Sequence, residues 1–233
     1  MENKQSVSII KIGGNIIDNP TELASFLADF AALEGNTILV HGGGKSATKL
    51  AQSMGLVPQM IEGRRITDAP MLEVVVGVYA GLINKEVVAQ LQANGANAMG
   101  FSGADGNLIL SDKRNHPTID YGFVGDVKKV NTSLLASLLE TGITPVFCAI
   151  THDGKGQLLN TNADTIASEL AIALSGQFDV TLTYCFEKQG VLMDPNDDNS
   201  VISQINPVNF AQLKADGIVS AGMIPKLENA LKA

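Results

Sequence analysis

Short apolar runs alternate with amphipathic stretches from one end of this chain to the other. The runs "VSIIKIGG", "NTILVHGGG", "ANAMGFSG", "ITPVFCAI" and "DVTLTYCF" each hold about five residues rich in Val, Ile and Phe, the pattern of buried strands. Between them, "TELASFLADFAALEG", "SATKLAQSMG", "APMLEVVVGVYAGLINKEVVAQLQANG", "NTSLLASLLETG" and "ADTIASELAIALSG" have helical spacing, and most end in a glycine suited to a C-cap. Such alternation predicts an α/β fold with a mainly parallel sheet covered on both faces, in which ligands collect at the carboxyl ends of the strands. From Gly106 to Val130 the pattern changes to short polar strands with turns, which predicts a hairpin excursion. No repeat, low-complexity tract or Pro-rich linker divides the chain, so residues 1–233 read as a single domain.

Composition narrows the function. With 233 residues and 45% hydrophobic content, the chain can bury a substantial core. A formal net charge of −8 argues against a nucleic-acid binder, so an anionic ligand must be held by a few local cations and backbone N–H groups. The longest apolar run, Val74 to Ile83, is about ten residues, half of what a bilayer requires, and no membrane association is expected. The start, "MENKQSVSIIKIGG", lacks the apolar stretch of a signal peptide, which leaves the cytoplasm as the expected location. Cys148 and Cys185 lie in strand-like stretches without a metal-ligand spacing and are expected to be reduced packing residues.

Two glycine loops carry the first chemical signal. "KIGGN" follows the first predicted strand and "HGGGKS" the second. Consecutive glycines let backbone N–H groups approach an anion, and the following helix adds its positive end. Neither loop is a Walker motif, and neither extends to the dinucleotide fingerprint. "SGADGN" is expected to be only a turn, because Asp105 stands where an anion site would need a cation. Lys11 ends a buried strand, where an uncompensated ammonium is costly unless its head reaches water or an anion sits over the glycines. Lys226, next to Pro225, opens a helix whose dipole is already positive; a solvated lysine and an anion ligand are both compatible with that place. Arg65 in "GRRITD" is suited to clamp a carboxylate, and Arg64 beside it reads as solvated. Finally, "LLNTNAD" gathers Asn160, Asn162 and Asp164 where a helix begins, although one such residue satisfies a helix start.

Taken together, "KIGGN", "HGGGKS", "GRRITD", "AGLINKEVVAQL", "GFVGDVKKVN", "LLNTNAD" and "SAGMIPK" resemble the acetylglutamate kinases of the amino-acid kinase family, in family order from Ile9 to Lys226. The resemblance implies an open three-layer αβα sandwich, with an acyl-amino-acid lobe at about 1–177 and an ATP lobe at about 178–233. It implies ATP-dependent phosphorylation of the side-chain carboxylate of N-acetyl-L-glutamate, or a related N-acylglutamate such as N-succinylglutamate, in the second step of arginine synthesis. ATP would bring Mg²⁺ with it, and no protein metal site is implied. Lys11 and Lys226 would be the catalytic lysines and Asp164 would orient them, with Asn162 supporting from the same loop. Gly43, Gly44, Arg65 and Asn160 would bind the substrate. Gly13, Gly14, Glu187, Lys188, Gly190, Val191, Leu192, Ile218, Val219 and Ser220 would face the nucleotide and its phosphates.

Two departures from the family pattern stand out. "CFEKQG" replaces a Thr/Ser-Asp-Val turn, which puts Phe186 and Glu187 at the nucleotide edge, and the chain ends at Ala233, before the family's last strand and helix. Other family kinases acting on carboxylates or carbamate, and a non-catalytic sensor of the same fold, are the alternatives. Only about eight residues precede the first strand, too few for the extra helix of hexameric, arginine-inhibited relatives. A homodimer through the long helix around "LEVVVGVYAGLINKEVVAQL" is expected, since its apolar residues exceed one buried stripe.

Overall fold

The computed structural model describes residues 4–61, 64–194, 196–219 and 223–233. The chain begins with β1 (Ser6–Ile12), α1 (Gly14–Asp18), α2 (Pro20–Ala31), β2 (Asn36–His41) and α3 (Gly44–Ser53). An antiparallel pair, β3 (Met60–Ile61) and β4 (Arg64–Arg65), precedes α4 (Ala69–Val76) and α5 (Asn84–Ala93). These two helices form one unbroken run through a π-helical stretch, Gly77–Ile83. There follow β5 (Ala98–Phe101), β6 (Ile109–Lys113), β7 (Gly125–Val130), α6 (Thr132–Glu140), β8 (Thr144–Cys148), β9 (Ile150–His152) and β10 (Leu158–Asn160). The last described elements are α7 (Ala163–Leu174), β11 (Asp179–Cys185), α8 (Pro207–Ala215) and α9 (Ile224–Lys232).

The five apolar runs form the central sheet, in the order β11-β1-β2-β8-β5, with every pairing parallel. Ile9, Ile12, Ile38, Leu39, Val40, Val146 and Phe147 are fully enclosed, as strands buried on both faces require. Each such side chain stabilises the fold by roughly 1.5–3 kcal/mol relative to leaving it in water. The register sets Ile12 beside both His41 and Cys185, so the carboxyl ends of β1, β2 and β11 are level. Both glycine loops therefore leave the sheet at one edge, and α7 packs against β1, β2 and β11 below them.

Two features depart from the strand pattern. "ITPVFCAI" reads as one strand, but it serves two sheets: β8 ends at Cys148 in the central sheet and β9 begins at Ile150 in a second sheet of order β10-β9-β6-β7. The expected hairpin excursion is present as β6 and β7, and it is extended by β9 and β10. "SGADGN" is a local turn, with the Asp105 carboxylate accepting from the Ser102 N–H at 2.6 Å and hydroxyl at 2.7 Å. Cys148 is buried, Cys185 is half-buried and both are free thiols, in keeping with packing roles. Among the described residues, no helix is long and apolar enough to cross a membrane.

Candidate active site

At the carboxyl edge of the sheet lies a cavity of about 520 Å³. Four helices present their first residues to it: Gly14 of α1, Gly44 of α3, Ala163 of α7 and Lys226 in the first turn of α9. Each helix start contributes unpaired N–H groups and partial positive charge. Among the described residues the lining holds six cationic side chains, Lys11, Lys45, Arg64, Arg65, Arg114 and Lys226, against Asp164 as its one carboxylate. In a chain of net charge −8, such local excess is suited to an anion carrying several charges.

Asp164 sits between two lysines. Its Oδ1 is 2.6 Å from Lys11 Nζ and its Oδ2 accepts a hydrogen bond from Lys226 Nζ at 3.1 Å. The closer contact, to Lys11, is a buried ion pair. Lys11 and Asp164 are 7% and 5% exposed, which puts both charges largely out of water. Burial lowers the Lys11 pKa, and the Asp164 charge opposes that shift. Burial also works against the Asp164 charge, but the two ammonium groups outweigh it and hold the carboxyl below its usual range. Lys226 reaches the pair because α9 is moored to α7: Ser168 Oγ donates to the Asn229 carbonyl at 2.8 Å, and Lys232 pairs with Glu169.

The three polar residues of "LLNTNAD" divide their work. Asn162 is the helix cap, its side-chain oxygen accepting from the Thr165 N–H at 3.0 Å. Asp164, in the first turn of α7, is free for the lysines. Asn160 is buried and donates to Thr67 Oγ1 at 3.0 Å, tying β10 to the segment that precedes α4. Arg65 is buried too, and one of its terminal nitrogens donates to the Gly44 carbonyl at 2.9 Å and to Thr48 Oγ1 at 2.8 Å. It thus braces the first turn of α3. Gly43 has a φ of 154°, and a Cβ there would lie 2.4 Å from Ile83 Cδ1, so no larger residue fits.

The pocket brings together Lys11, Gly14, Gly43, Gly44, Arg65, Asn160, Asn162, Asp164 and Lys226. The remaining expected residues within the described part of the chain are not in its lining. The Gly13 N–H is engaged by the Cys185 carbonyl at 2.9 Å. Glu187 accepts from Asn15 Nδ2 at 2.5 Å, and Lys188 pairs with Asp198 at 2.6 Å. Gly190, Val191 and Leu192 run against Val201 and Ile202, with Leu192 bridged to Val201 in antiparallel fashion. Ile218 and Val219 donate their N–H groups to the Leu213 carbonyl at the end of α8, and Val219 is buried. Ser220 lies outside the described residues.

Three cations were not singled out by sequence reasoning. Arg64, expected to be solvated, is exposed and also lines the cavity. Lys45 follows the glycine loop and contacts Asn15. Arg114 arrives from the polar excursion and is held by the Asp126 carboxylate, at 3.0 Å from Nε and 2.5 Å from a terminal nitrogen. Only the glycine-loop position of Lys45 was a usable signal, since nothing in a run of polar residues marks one arginine as facing a distant cavity.

The chain is similar to known proteins over nearly its whole length. Residues 6–233 match the sequence model described as Amino acid kinase family. The acetylglutamate kinase of Cytophaga hutchinsonii is 59% identical over 230 residues, covering 98% of this chain and 87% of that protein. The acetylglutamate kinase of Phocaeicola vulgatus is 58% identical, covering 99% and 90%. Among solved structures, smu.665 from Streptococcus mutans superposes with a TM-score of 0.80 at 26% identity, covering 97% of this chain and 89% of its own. With matches this extensive, the chain belongs to the acetylglutamate kinases of the amino acid kinase family.

Proposed function

We propose that this kinase transfers the γ-phosphoryl group of ATP to the side-chain carboxylate of N-acetyl-L-glutamate, forming the acyl phosphate in the second step of arginine synthesis. The relatives' shared name supports the reaction, and the observation that carries the residue roles is the Lys11–Asp164–Lys226 arrangement in the lining of a cationic pocket. Phosphoryl transfer passes through a loose transition state whose charge spreads over the moving group and its two flanking oxygens, so positioning and positive charge supply most of the catalysis. Lys11 bridges the attacking carboxylate and the γ-phosphoryl, and Lys226 faces the leaving β-phosphate. Asp164 holds the two ammonium groups at a fixed separation. The N–H groups of Gly14, Gly43 and Gly44 meet the phosphoryl oxygens.

Arg65 and Asn160 receive the α-substituents of acetylglutamate. No general base is needed, because the attacking carboxylate is ionised near neutral pH. Asp164 is the one carboxylate among the described lining residues and is committed to two lysines, so these side chains do not fit a protein-held Mg²⁺. The ion would travel on the phosphates of the nucleotide. The adenosine end would lie toward Glu187–Leu192 and Ile218–Ser220, in the lobe formed by about 178–233. A homodimer through the helical run 69–93 is part of the same reading, supported by Leu82, which is 54% exposed on it.

An ATP-dependent hydroxamate assay tests the reaction: acetylglutamate should yield the hydroxamate, whereas aspartate and carbamate should not. Nucleotide binding without hydroxamate from any acceptor would favour a sensor of the same fold.

A further inference from the structure

The glycine loop is backed by a buried polar cluster that phosphoryl transfer does not use directly. His41 ends β2 and is fully buried. Its Nδ1 is 2.8 Å from the carbonyl oxygen of Gly42, and its Nε2 is 3.1 Å from Asn84 Nδ2. The Asn84 amide also donates to the Val146 carbonyl at 3.0 Å, while its oxygen accepts from Lys85 Nζ at 3.1 Å. These partners settle the proton positions. A carbonyl and an ammonium leave Asn84 only one orientation, with its NH₂ toward His41, so Nε2 must accept and Nδ1 must carry the proton. Burial pushes the His41 pKa down to about 4, which keeps the ring neutral and suits that pairing.

Peptide geometry connects this cluster to the pocket. In a trans peptide the C=O of one residue and the N–H of the next point in opposite directions. The Gly42 carbonyl turns toward the buried imidazole, so the Gly43 N–H turns away from it, toward the cavity that Gly42, Gly43 and Gly44 line. Glycine at 43 has little intrinsic preference for one peptide orientation, and a flipped peptide would place a carbonyl where a phosphoryl oxygen must go. The π-helical stretch serves the same end. Its Tyr79 and Ile83 press on Gly43, and the next residue, Asn84, supports His41. π-Helical segments alter the side-chain register of a helix and are frequent at functional sites.

We propose that His41 is a positioning residue for phosphoryl transfer: its Nδ1–H holds the Gly42–Gly43 peptide with the Gly43 N–H aimed at the transferring group, and Asn84 fixes the ring that does so. This inference rests on the reaction assigned above. Two substitutions separate the bond from the packing. In His41→Asn the amide nitrogen falls near the position of Nδ1 and can still donate to Gly42, whereas in His41→Gln it reaches the Asn84 end and cannot. With acetylglutamate and ATP, His41→Gln should lose about a hundredfold in kcat with both KM values within about threefold of wild type, as expected for a donor acting in the transition state. His41→Asn should recover to within about tenfold of wild type.

Equal activity in the two variants, or a wild-type kcat in His41→Gln, would overturn the proposal; an inactive wild-type enzyme would instead overturn the assigned reaction. If either variant fails to fold, the wild-type enzyme decides the matter through long-range proton–nitrogen correlation on ¹⁵N-histidine-labelled protein at pH 7. There His41 should be the neutral Nδ1–H tautomer, and an Nε2–H tautomer would refute the proposal.

Discussion

Asp164 presents one carboxylate oxygen to Lys11 at 2.6 Å and the other to Lys226 at 3.1 Å. Those lysines come from the end of β1 and the first turn of α9, so one side chain sets the spacing between two elements that the chain itself does not connect directly. A group that only capped α7 would have no reason to be here, because Asn162 already does that.

Asp164→Asn should therefore lose most of its turnover. The amide cannot hold two ammonium groups in register, and a displacement of about 1 Å can lower the rate a hundredfold. Because Lys11 is almost wholly buried, the variant should also lose roughly 3 kcal/mol of stability, the usual scale for breaking a buried pair. Steady-state kinetics at a temperature where circular dichroism shows the variant folded will separate the two effects; unchanged turnover there would make the carboxylate purely structural.

Lys11→Ala and Lys226→Ala should each reduce kcat by a hundredfold or more, on the order of 3 kcal/mol of transition-state stabilisation. Normal turnover in either variant would remove that lysine from the mechanism.

Arg65→Ala should mainly raise KM for acetylglutamate and leave KM for ATP nearly unchanged. Some stability should be lost as well, since the guanidinium also bonds the Gly44 carbonyl and Thr48. Initial-rate kinetics varying each substrate in turn will show which KM moves, and a defect confined to ATP would place Arg65 on the nucleotide side.

The pH dependence of stability has a defined sign. Asp164 has a carboxyl pKa held below its ordinary 3.8 in the folded protein, so the unfolded chain takes up its proton first as acid is added. Its contribution is complete above about pH 4 and fades as pH falls through the folded-state value. The melting-temperature gap between wild type and Asp164→Asn should accordingly be constant from pH 5 to 7 and shrink below pH 4. A gap that widens in acid would show that the carboxyl is not stabilised as an anion.

Much of this was legible in one dimension. The central strands β1, β2 and β8 are enclosed on both faces, so they need unbroken apolar runs, and such runs are visible without knowing their partners; β11, at the sheet edge, alternates exposed and half-buried positions instead. Lys11 stood out because a charge at the end of such a run needs an explanation, and Gly43 because it belongs to three consecutive glycines. The splitting of "ITPVFCAI" between two sheets was not legible, since hydrophobicity records that a strand is buried and not which sheet covers it. Nor was the division of labour between Asn162 and Asp164, because Asn and Asp are equally good caps and only the approach of α9 assigns one of them to the lysines. Arg114 entered the cavity held by Asp126 across the β6–β7 hairpin, and His41 came to support its glycine loop through Asn84, 43 residues further along the chain. Local sequence decides which elements form, because propensity and periodicity act over a few residues. Which polar side chains meet is decided by strand order and register, because a charge or an imidazole finds its partner only after the sheet has closed around it.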